Sequence, residues 1–156
     1  MPLFVRRALV GLALVLLQWI VFQRLDIFGA YPDAVLLFVA WIGLRHGRQA
    51  GSTAGFLLGF LMDWVLGTWG VNMFVKTLVG FVVGLFPASD RETLLIRPQQ
   101  AFLGGLVVAL LHNGIQVVFM AAETGDRSPI TLTALWVGAA LYTGFLAFLA
   151  ALFARR

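Results

Sequence analysis

The chain contains no cysteine, which excludes disulfides, thiolate metal sites and a cysteine nucleophile. Charge is nearly as scarce. Asp, Glu, Lys and Arg make up 12% of the 156 residues and apolar residues 61%, against roughly 25% and 45–50% in ordinary soluble domains. A soluble domain of this length would have too little polar surface to cover itself. With a mean hydropathy of +0.95, the chain reads as a polytopic membrane protein. Catalytic signatures are missing as well: there is no G-x-S-x-G elbow, no H-E-x-x-H and no P-loop. Ser52, Ser89 and Ser128 lack an adjacent histidine. The formal charge of +4 comes from basic residues set in pairs at segment ends, not from an aromatic-and-basic patch of the kind that binds single strands. Nothing here asks for an enzyme, a cofactor, a metal or a nucleic-acid partner.

What is present is a series of six apolar segments, at about 8–22, 32–45, 49–66, 71–86, 101–122 and 130–153. They predict an all-α, six-helix transmembrane bundle forming a single domain over residues 1–156. Only the fifth and sixth comfortably reach the roughly 20 residues that a bilayer core requires. Short spans survive where neighbours shield them or the bilayer thins. The second, third and fourth are therefore expected inside the bundle, with a re-entrant second segment as the alternative. The first segment has Arg6 and Arg7 before it, like a secretory signal, but only a weak small-residue site follows at Gly29–Ala30, so it is read as a retained span. The longest loop, Pro87–Gln100, is read as a cytoplasmic turn between two three-helix halves.

Arginine placement orients the bundle. With six spans and the N-terminus inside, Arg6, Arg7, Arg45, Arg48, Arg91, Arg97, Arg155 and Arg156 are cytoplasmic, while only Arg24 and Arg127 fall outside. That is a clear positive-inside bias. Asp26, Asp33, Glu123 and Asp126 lean to the outer side. Arginine pairs at both termini require an even number of spans and place both ends in the cytoplasm.

Inside the third segment, glycine recurs at every fourth position through Gly47, Gly51, Gly55 and Gly59, and the next step lands on Asp63. Residues four apart share a helix face, and glycines there let a second backbone approach closely, which matters in lipid because helix association leans on close packing. The ladder can serve packing within the bundle, a partner helix or a pocket. Asp63 and Lys76 flank the turn Gly67-Thr68-Trp69-Gly70 at depths differing by roughly 3 Å. Across an antiparallel hairpin they are expected to pair, as intramembrane charges usually do, with Asn72 one turn away completing a polar network. The fifth segment carries His112, Asn113 and Gln116, of which His112 and Gln116 share a face. Such groups commonly hydrogen-bond across helices, and a lone histidine makes a poor metal site. Pro32 and Asp33 suit the start of the second span, proline at a first helical position and the carboxylate at the positive end of the helix.

The segments Tyr31-Pro32-Asp33-Ala34-Val35-Leu36-Leu37, Gly47 through Gly55-Phe56 to Gly59-Phe60-Leu61-Met62-Asp63, and Gly70 with Val79-Gly80-Phe81 resemble the rod-shape-determining MreD family. Its members share a PD-x-x-L-L start to span two and a G-x-x-x-G-F-x-x-G-x-x-x-D stretch ending span three. The motif-bearing match covers about 31–81, and Met62 stands where leucine is commoner. The resemblance implies a non-enzymatic scaffold of the bacterial elongation machinery in the cytoplasmic (inner) membrane. It would bind the single-span protein MreC, which carries an outer coiled coil and β domain. It would help link MreB filaments to the RodA glycosyltransferase and its class B penicillin-binding protein, in support of peptidoglycan synthesis and cell shape. A substrate-binding S-component of an energy-coupling-factor vitamin transporter is the alternative, and its bundle has the same architecture. That class docks through alanines four apart on span one, which ALVGLALVLLQWIVFQ lacks; Ala50 and Ala54 have the spacing but on the wrong span.

Overall fold

The computed structural model describes residues 2–27, 29–86, 97–124 and 128–154. The expected turn Pro87–Gln100 lies outside them up to residue 96, as do Arg91, Asp126, Arg127, Arg155 and Arg156 of the orientation argument. The described residues form six α-helices: α1 (Leu3–Ile20), α2 (Ala34–His46), α3 (Arg48–Leu66), α4 (Val71–Gly84), α5 (Pro98–Thr124) and α6 (Pro129–Ala154). Helix α1 is prolonged by a 3-10 turn, Phe22–Arg24. Helix α6 runs through a π-helical stretch at Ala134–Gly138. Among the described residues, the only extended pairing is the small bridge between Ile27 and Ala30.

Three helices are long and apolar enough to cross a membrane: α1 with its extension, α5 and α6. Helices α2 and α4 are apolar but span only 13 and 14 residues, about 20 Å each. Helix α3 has 19 residues, about 28 Å, but Arg48, Gln49, Ser52, Thr53 and Asp63 dilute its apolar character. Helix α2 can be short because the other helices enclose it. One flank joins Val15 of α1 and Leu58 and Met62 of α3 through Val35 and Val39. Its other flank joins Val75, Val79 and Val83 of α4, Ala109 of α5 and Ala140 of α6 through Leu36 and Ala40. With both flanks committed, α2 is the axis of the bundle.

The tightest packing is α3 against α4. A Cβ added at Gly51 would collide with the Gly80 carbonyl, one at Gly55 with the Lys76 carbonyl, and one at Gly59 would lie 2.6 Å from the Asn72 oxygen. Each four-residue step along α3 is thus matched by a four-residue step back along α4. Gly80 and Gly84 answer from the α4 side, meeting the backbone at Gly51 and at Gly47–Arg48. Two backbones lie in contact over this length, the arrangement that small residues permit in membranes. Gly47 stands apart from the other ladder members. Nothing lies within 4 Å of its Cβ position, and its φ of +87° turns the chain between α2 and α3 in a single residue, a conformation that side-chain-bearing residues resist. The α3–α4 turn opens with Gly67 in the left-handed region at the end of α3, the usual helix stop.

Helices α5 and α6 form the second close pair. Gly144 of α6 lies against Phe102 and Leu106, and Gly105 of α5 faces Ala147. Near the π stretch, the Trp136 indole lies over Gly114 and its Nε1 donates to the Leu110 carbonyl at 3.0 Å. The outward faces of the bundle are apolar. Leu9, Leu12 and Leu16 of α1, and Phe56, Phe60 and Trp64 of α3, are all exposed, as a surface covered by lipid requires.

Candidate functional site

A charged cluster sits at the centre of the bundle. The Lys76 side chain is wholly buried (0% exposed), and an ammonium has three protons to place. Asp33 Oδ2 accepts one at 2.7 Å, Asn72 Oδ1 another at 3.1 Å, and His112 Nε2 the third at 3.1 Å. An ammonium can only donate, so Nε2 accepts and the His112 ring is neutral. Its Nδ1–H then points to Asn113 Oδ1 at 3.0 Å. Gln116 Nε2 donates to the remaining lone pair of Asn72 Oδ1 at 3.0 Å. The lysine, the span-two start and the span-five polar residues, separate motifs along the chain, are one network here.

The expected Asp63–Lys76 pair does not form. The Lys76–Thr77 backbone, rather than the lysine side chain, faces Gly55 of α3, and the side chain leaves toward α2 and α5. Asp63 is otherwise occupied. Its Oδ1 accepts from the Asn72 amide and the Thr68 hydroxyl, and its Oδ2 from the Met73 amide at 2.8 Å. A carboxylate at the end of α3 therefore caps the start of α4, where free amides and the positive end of the helix dipole favour it. Asp63 belongs to the network only through Thr68 and Asn72, since Asn72 Nδ2 donates to the Thr68 hydroxyl at 3.1 Å.

Asp33 has two roles. Its Oδ1 accepts from the Leu36 amide at 2.7 Å, making it the N-cap of α2, while Oδ2 holds Lys76. Pro32 precedes the cap instead of opening the helix, and its carbonyl accepts from Gln18 Nε2 at 2.7 Å. A helix start buried in a bundle needs partners for its free amides, and two neighbouring helices provide them. Gln18 Oε1 of α1 accepts from the Ala34 amide at 2.9 Å, and the Thr143 hydroxyl of α6 accepts from the Asp33 amide at 3.1 Å. Sequence reasoning missed Gln18 and Thr143. The available signal was Gln18 as the single amide in span one and Thr143 as the one threonine in the middle of span six, away from Thr131 and Thr133 at its start. Trp136 was missed too; its carbonyl receives Asn113 Nδ2 at 3.4 Å.

Among the described residues, no buried side-chain nitrogen or oxygen lacks a hydrogen-bond partner. A buried ion pair is stable only when such bonds offset its desolvation, and this one is bonded on every side. No group of three or more His, Asp or Glu that could hold a metal occurs among the described residues. The network reaches the surface where α2 and α4 begin and α5 ends, at a cavity of about 320 Å³ with Asp33, Asn72, Asn113 and Gln116 in its lining.

Helices enclosing a fully bonded ion pair, with apolar faces turned outward, define a membrane protein whose interior is built to hold one packing. The family model for the rod shape-determining protein MreD matches residues 2–154, nearly the whole chain. The chain belongs to the MreD family, the shape-determining membrane proteins of rod-form cells. No curated protein and no solved structure matches it.

Proposed function

We propose that this protein is a non-enzymatic, six-span scaffold of the cell-elongation complex, with both termini cytoplasmic, that binds an MreC-like single-span protein in the inner membrane. Through that partner it supports peptidoglycan synthesis by the RodA-type glycosyltransferase and class B penicillin-binding protein, and their link to MreB. Membership of the MreD family carries this reading. It is supported by a core in which the charged groups bond one another and by long apolar faces left for lipid and for a partner's span. Gly51, Gly55 and Gly59 are in use by α4, so the partner meets another surface.

The partnership is tested by co-expressing the chain with an MreC-like single-span protein and purifying in mild detergent. Stoichiometric recovery of both is expected. A folded, monodisperse chain that recovers none of the partner would overturn the reading.

Orientation has its own test, simplified by the absence of native cysteine. Thr124→Cys is expected to react with a membrane-impermeant maleimide in intact cells, and Ser89→Cys only after lysis, because the arginine bias places the two on opposite sides. Labelling of position 89 from outside would overturn the topology.

A further inference from the structure

We infer that the cavity at the end of the bundle assigned above to the outer side binds an organic cation: an ammonium group on a short apolar stem. At about 320 Å³ it falls in the range of small-ligand pockets, roughly 300–1,000 Å³. The chemistry of its wall decides the class of ligand. Two carboxylates, Asp33 and Glu123, and three aromatic rings, Tyr31, Trp69 and Phe119, contribute to the lining, while no Lys, Arg or His does. Lys76 already neutralises Asp33 from below. Glu123, near the end of α5, has no ion-pair partner among the described residues. Gln116 gives its amide nitrogen to Asn72, which leaves its Oε1, an acceptor, without a protein donor among the described residues.

Among the described residues the site therefore offers acceptors, a carboxylate without an ion-pair partner and aromatic faces, and its lining offers an anion no counter-charge. Burial, with the negative charges of Asp33 and Asp26, pushes the Tyr31 hydroxyl up to about 12, so Tyr31 brings a neutral ring to the lining. Trp69 is 97% exposed. Alone it would read as one more aromatic residue at the membrane interface. Sharing a cavity lining with a carboxylate and the rings of Tyr31 and Phe119, it can offer a face to a cation. The apolar stem of the ligand would lie against Val117 and Leu135. The ammonium can come from a lipid headgroup, phosphatidylethanolamine, or from a free amine. This binding does not depend on the partner proposed above.

The test uses the full chain in dodecyl maltoside micelles, which carry no ammonium, titrated with phenethylammonium and with its neutral isostere 2-phenylethanol. Saturable binding of the amine, about tenfold tighter than the alcohol, is expected. Glu123→Gln and Trp69→Leu should each weaken the amine about threefold, and together about tenfold, without moving the unfolding midpoint of these exposed-site variants. Adding phosphatidylethanolamine to the micelles should reduce the apparent amine affinity if the headgroup is the natural ligand. An unchanged affinity assigns the site to a free amine. Equal binding of amine and alcohol, or amine binding indifferent to both substitutions, would overturn the proposal.

Discussion

Lys76→Met and Asp33→Asn should each destabilise the protein by about 3–5 kcal/mol, because each leaves the other charge buried without its partner. The double substitution should cost clearly less than the two single losses combined. Lys76 is 0% exposed and its ammonium lies 2.7 Å from Asp33 Oδ2, so the lysine cannot turn to water when Asp33 is neutralised, and Asp33 meets water only through the cavity it lines. Removing both takes away the charge problem and leaves two neutral side chains of similar volume. Unfolding by sodium dodecyl sulfate titrated into mild-detergent micelles would measure the three variants as a double-mutant cycle. Asp63→Asn is the discriminating control. It removes the charge that caps α4, worth about 1–2 kcal/mol, and it should not relieve the loss in Lys76→Met. Additive losses for Asp33 and Lys76, with relief between Asp63 and Lys76 instead, would show that the lysine pairs within its hairpin after all.

That error in reading the sequence has a simple geometric cause. Depth along a hairpin follows from residue count, and by depth Asp63 and Lys76 are well matched. Direction around the helix axis does not follow from depth. Asn72, Lys76, Gly80 and Gly84 are spaced by four on α4, and it is their backbone that lies along the α3 glycines. Glycine on α3 brings the helices too close for a side chain between them, so the lysine projects to a flank, toward α2 and α5. The ladder that was legible in the sequence thus contained the reason the pair fails.

Local features were easier to read. The helix starts and stops near Asp33, Gly67 and Gly70 follow from residue type, because a capping carboxylate and a glycine-bounded turn leave marks in the sequence, whereas Gly47 reads as a packing residue and is a turn instead. Partners between distant spans leave none. Asp33 was legible as a helix start but not as the counter-ion of Lys76, 43 residues away. Gln18 and Thr143 satisfy the amides of α2 from helices 16 and 110 residues distant. His112, Asn113 and Gln116 were recognisable as a polar group, yet nothing in their spacing names Lys76 and Asn72 as what they touch.

Gly55→Leu is expected to abolish folding in detergent, the largest effect of any single substitution in the ladder. A Cβ at position 55 would run into the Lys76 carbonyl and lie 2.8 Å from Thr77 Cα. Both are backbone, so no rotamer change relieves the overlap, and the cost exceeds the roughly 1–3 kcal/mol of ordinary overpacking. The helices can only move apart. Separation loosens the Asp63 cap on α4, which bridges the same two helices, and shifts Lys76 from Asp33. The steric fault therefore reaches the ion pair. Gly104 serves as the control, since nothing lies within 4 Å of its Cβ position on α5; Gly104→Leu should fold. Fluorescence-detected size exclusion of tagged variants would read both, as loss of the monodisperse peak for position 55 and its retention for position 104. Gly51→Leu and Gly59→Leu should follow position 55, for their Cβ atoms would also meet α4 backbone. If leucine at 51, 55 and 59 left the peak and the unfolding midpoint intact, α3 and α4 could not lie backbone to backbone, and the geometry that directs Lys76 toward Asp33 would go with them.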